Sequence, residues 1–159
     1  MLAGHPPFHG LLAAEVEAGE RLLTCLEEEH RILGRRQAAP LEAVTQSKRQ
    51  WVAELEIRVA AHDRFLQDKG LTRGKAGTER LLRSLPNEAP EHDLWRRLQT
   101  LATACRTQNE INGRVIELSH RQAKQSIDIL LQRHNSPGVY SRRGESCSVS
   151  RRQGIIGKA

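Results

Sequence analysis

The chain has 159 residues, 38% hydrophobic, 28% charged and only 3% aromatic, with a net charge of +6. This is too charged and too poor in aromatics for a large globular core; it suits long amphipathic helices with narrow apolar stripes. No run approaches the roughly 18 uncharged apolar residues of a spanning helix, so no membrane insertion is expected.

Residues Met1 to Gly10 lack a basic region followed by an apolar stretch, so a secretory signal is not expected and a cytoplasmic location is. Cys25, Cys105 and Cys147 are odd in number and far apart. That pattern suits a reducing compartment and neither a disulfide scaffold nor a zinc site.

The first helical segment runs from about Pro7 to Arg36. Leu12, Val16, Gly19, Leu23, Leu26 and Leu33 recur at three- and four-residue steps, with His30 in the gap. Gly34 and Ala38-Ala39-Pro40 end it. The second segment runs from about Pro40 to Lys69, with a stripe of Leu41, Val44, Lys48, Trp51, Leu55, Val59 or Arg58, His62 and Leu66. Gly70 is its expected C-cap. Two such helices joined by a short connection form an antiparallel hairpin.

Gly70 to Gly77 is glycine-rich and basic and reads as a loop. Thr78 then caps a short helix over 78–85, and Pro86 to Pro90 is a second break. The third long segment, Glu91 to His134, has no proline and one glycine, with apolar residues from Leu94 and Trp95 through Ile116 to Ile127, Leu130 and Leu131. As one helix it would be about 65 Å long, more than the hairpin can cover, so one end projects, bends or finds another partner, and an uncovered stripe signals a binding or self-association surface. Thr107 to Gly113 interrupts the stripe with polar residues; it reads either as a solvated face or as a kink or contact point.

From Asn135 to Ala159 the pattern stops. Five basic residues (Arg142, Arg143, Arg151, Arg152, Lys158) stand against Glu145, so the positive charge is largely a property of this tail. Its few apolar groups cannot form a core, and a flexible tail over 135–159 is expected. The fold class is therefore all-α: an antiparallel helical hairpin and a long third helix form a bundle over 1–134, followed by the tail.

No catalytic site, cofactor or metal is expected. Glu27-x-x-His30 and Glu117-x-x-His120 have the spacing of di-iron ligands, because i and i+3 share a helix face. A di-iron bundle needs four long helices, however, and the fourth candidate is short. There is no GxxxxGK[ST], GxSxG or HExxH. Nucleic acid is also disfavoured as a partner: the basic tail holds only Tyr140 for base stacking, and the helices carry balanced charge.

The ordered set of short motifs resembles the FlgN family of flagellar export chaperones. Leu26-Glu27-Glu28-Glu29-His30-Arg31-Ile32-Leu33 is similar to the acidic end of that family's first helix. Leu41 to Lys48 is similar to the opening of its second helix. Leu94-Trp95, Asn109, Asn112-Gly113 and Ile116 are similar to its long-helix signature, and Tyr140 and Gly144 to the tyrosine–glycine pair beyond it, although Ser141 stands where the family often has glycine. The resemblance implies a chaperone that binds hook–filament junction proteins of the FlgK and FlgL type and delivers them to the flagellar type III export apparatus. It implies substrate-protein contacts at Asn109, Asn112, Gly113 and Ile116, and docking on the export gate through Tyr140. Leu130 and Leu131 join the substrate surface on their apolar character. A generic coiled-coil scaffold or regulator is the alternative, and a homodimer is left open beside a monomer.

Overall fold

The computed structural model of the chain describes residues 6–35 and 38–135. It contains four helices: α1 (Pro6–Leu33), α2 (Ala38–Asp68), α3 (Gly74–Leu82) and α4 (Pro90–Asn135), with no strand among the described residues. The all-α expectation is met. The chain divides into two compact units, Met1–Arg121 and Gln122–Ala159. The expected tail beyond Asn135, with Tyr140 and Gly144, lies outside the described residues.

In the first unit α1 is the central helix. Its buried residues include Phe8, Leu12, Val16, Gly19, Leu22, Leu26 and Ile32, an arc wider than a two-helix seam. The width follows from having neighbours on two sides. The sequence stripe is therefore shifted: Leu23 and Leu33 are only half-buried, whereas Leu22, Glu15 and Glu29 point inward.

α2 packs antiparallel to α1. Phe8 stacks on Phe65 with ring centroids 6.0 Å apart, Glu15 meets His62, and Glu29 meets Lys48, so numbers rise along one helix as they fall along the other. α4 runs parallel to α1 on its other flank. Leu101 sits against Gly19, Arg97 pairs with Glu20, and Asn112 reaches the Leu26 carbonyl. Gly19 faces Leu101, and a Cβ at 19 would lie 3.5 Å from Leu101 Cδ1, an ordinary van der Waals contact.

Gly70 ends α2 as expected. Its φ is +73°, and Leu71 N donates to Leu66 O (2.9 Å) while Gly70 N donates to Gln67 O (2.8 Å). This is the paired bonding of a Schellman end, which glycine reaches without strain. The short helix departs from expectation. It begins at Gly74 and ends at Leu82, so the expected span 78–85 is displaced toward the N-terminus. Thr78 is inside it and donates to Gly74 O (3.0 Å) rather than capping it. The first amide is instead capped from another helix: Gly74 N donates to Asp63 Oδ1 at 2.8 Å. A cap supplied across the tertiary fold leaves no local signature. Gly77 is buried in α3 because a Cβ there would land on the Thr72 carbonyl.

Candidate functional site

Between α2 and α4, above α1, lies a cavity of about 270 Å³. Leu55 and Val59 wall it from α2, and Trp95, Leu98 and Ala102 from α4. Its floor is polar. Glu15, His62 and Thr78 are each 5% exposed or less, and they form a chain: Glu15 Oε1 to His62 Nδ1 at 2.7 Å, and His62 Nε2 to Thr78 Oγ1 at 3.3 Å. The order carboxylate, imidazole, hydroxyl is that of a nucleophile with its base and orienter. Here the hydroxyl is almost fully buried at the cavity floor and its proton is committed to Gly74 O, so it is not poised for attack.

A second polar hub lies further along α4. Asn112 is 1% exposed. Its Nδ2 donates to Leu26 O and to Glu29 Oε2, both at 2.8 Å. Its Oδ1 accepts from Gln108 Nε2 (3.0 Å) and from His30 Nδ1 (3.1 Å). The other Glu29 oxygen takes Lys48 Nζ at 2.6 Å. Two donors and two acceptor positions of one amide are thus all used, and three helices meet there.

The residues expected to contact a partner protein therefore fall into distinct places. Asn112 is turned to the interior. Asn109, Gly113 and Ile116 are exposed, and nothing approaches within 4 Å of a Cβ at Gly113. Trp95, Ala102, Asn109 and Ile116 are spaced seven apart, so the cavity wall and the two exposed residues follow one line along α4. That heptad spacing was the signal by which Trp95 and Ala102 could have been found. In the second unit Leu130 and Leu131 are 61% and 57% exposed, and Ile127 and Ile129 are exposed beside them.

The two Glu-x-x-His pairs are not brought together. Glu117 is paired with Arg121, His30 with Asn112, and Glu27 and His120 are exposed. No group of three His, Cys, Asp or Glu suited to a metal occurs among the described residues. Burial pushes the Cys105 thiol above the ordinary thiol range, and the Glu27 charge adds to it; Cys25 is raised by burial and by Glu29. Neither thiol is activated as a nucleophile.

A family model described as FlgN protein matches residues 6–146. The chain belongs to the FlgN family. Its fold is similar to the crystal structure of a flagella synthesis protein FlgN from Pseudomonas aeruginosa, with 24% identity and a TM-score of 0.61, covering 79% of this chain and 98% of that one. No curated protein matches the chain. As a FlgN-family member it is a protein of flagellum synthesis, with flagellar proteins as its partners. No helix among the described residues is long and apolar enough to cross a membrane.

Proposed function

We propose that this FlgN-family chain is a cytoplasmic export chaperone. It holds hook–filament junction proteins of the FlgK and FlgL type unassembled and passes them to the flagellar type III export apparatus. The observation that carries the reading is the exposure of Leu130 (61%) and Leu131 (57%) on a helix, without a cover among the described residues. An exposed apolar helix face is what an amphipathic partner helix occupies. Asn109, Gly113 and Ile116 supply a second patch in the first unit. Asn112 serves it from beneath, by holding α4 to α1. Tyr140 is the proposed anchor on the export gate. Binding and release, rather than catalysis, are the work.

The test is a calorimetric titration of the protein with the C-terminal helical segment of a hook–filament junction protein. Saturable binding near one to one, lost in Ile116→Asp and in Leu130→Asp/Leu131→Asp with helicity intact, supports the reading. Absence of binding by the wild-type chain overturns it and leaves a coiled-coil scaffold.

A further inference from the structure

We infer that the cavity between α2 and α4 seats one anchoring side chain, a tyrosine or a tryptophan, carried by the amphipathic helix of the partner; this rests on the chaperone reading above. Size comes first. At about 270 Å³ the cavity falls below the roughly 300–1,000 Å³ of small-molecule sites, which leaves room for a single large side chain rather than a cofactor.

Chemistry narrows the choice. The walls are mostly apolar, with Trp95 from α4 and Val59 from α2; Asp63, Lys75 and Gln99 complete the lining, and the floor holds Glu15. Glu15 is 3% exposed and lines the cavity; one of its oxygens takes His62. A carboxylate has about four lone-pair positions, so this lining residue keeps acceptor capacity beyond its bond to His62. The matching guest has an apolar body and one hydrogen-bond donor at its tip, which describes the tyrosine O–H and the tryptophan indole N–H. A lysine or arginine would add a second cation beside Lys75, which already lines the cavity, and lose hydration against the apolar walls. A phenylalanine or leucine would cover the carboxylate without satisfying it.

The approach is shaped for a helix. From Trp95 the heptad line runs through Ala102, whose short side chain leaves the mouth open, to Asn109 and Ile116. A helix laid along that line places one side chain over the cavity while its neighbours reach the Ile116 patch. Aromatic anchors in fitted pockets are where interface energy concentrates.

The experiment uses the full chain carrying Trp51→Phe, which leaves Trp95 the sole tryptophan, labelled as 5-fluorotryptophan. The probe is the C-terminal helical segment of a hook–filament junction protein, in its natural form and with its aromatic residues changed to alanine. Expected is a shifted Trp95 fluorine signal at saturation, and binding weakened about tenfold or more both by the peptide's alanine changes and by Ala102→Phe, which fills the cavity from an exposed position. An unmoved fluorine signal at saturation, or equal affinity of Ala102→Phe and wild type, overturns the anchor site while leaving the chaperone reading intact. No binding at all by the wild-type chain overturns both.

Discussion

Glu15 Oε1 lies 2.7 Å from His62 Nδ1, with both side chains buried between α1 and α2. Two heptads along each helix the motif recurs: Glu29 Oε1 lies 2.6 Å from Lys48 Nζ, and Leu22 and Leu55 stand midway between the pairs. The repeat locks the hairpin in register. A slide of one heptad would set a buried glutamate against leucine and leave its charge unpaired, which costs more than apolar mispacking.

Removing one member should therefore be worse than removing both. His62→Leu is expected to cost about 3 kcal/mol because Glu15 is left buried and unpaired, and adding Glu15→Leu should recover most of it. Urea denaturation of the two variants checks this. A double variant less stable than His62→Leu alone would refute the pairing.

Asn112 is expected to behave as a core residue. Asn112→Ala strips partners from Leu26 O and Glu29 Oε2 and should lower stability by about 2 kcal/mol or more. Thermal unfolding gives the answer. An unchanged melting temperature would mean that the hub does not form in solution.

Two glycines should respond in opposite directions. Gly113→Ala meets no neighbour within 4 Å and should stabilise α4 by about 0.5–1 kcal/mol. Gly77→Ala places a Cβ on the Thr72 carbonyl and should displace the start of α3. Chemical denaturation separates them, and Gly113→Ala also gives a clean test of close partner approach, since any lost binding cannot come from a weakened fold.

Thiol chemistry offers a pH test. Cys25 and Cys105 are both held above the ordinary thiol range by burial, so at a given pH each has less thiolate folded than unfolded. In a Cys147→Ser protein, iodoacetamide alkylation should rise with pH later in buffer than in urea. The linkage has a fixed sign: the fold favours the protonated thiol, so this contribution is present below the unfolded value and is lost as pH climbs through the folded one. Identical alkylation profiles in the two solvents would contradict it.

Much of the architecture was legible in local pattern. Three long helices, the hairpin and the Gly70 end follow from periodicity and from one glycine with positive φ, properties of residues a few positions apart. The partner-facing residues were legible only in part. Ile116, Leu130 and Leu131 are apolar and exposed, but Asn112 read as part of the same polar patch and is buried. The α3 boundary was missed because its cap, Asp63, comes from α2.

Sequence alone determined that this chain is helical, how its long segments divide and which family it resembles, because helix periodicity and short motifs are written in neighbouring residues. Tertiary structure alone decided that Glu15, Glu29 and Asn112 lie inside. A polar side chain can be buried only where a partner waits, and theirs are His62, Lys48 and the end of α1, brought close by the packing of α2 and α4 on either side of α1.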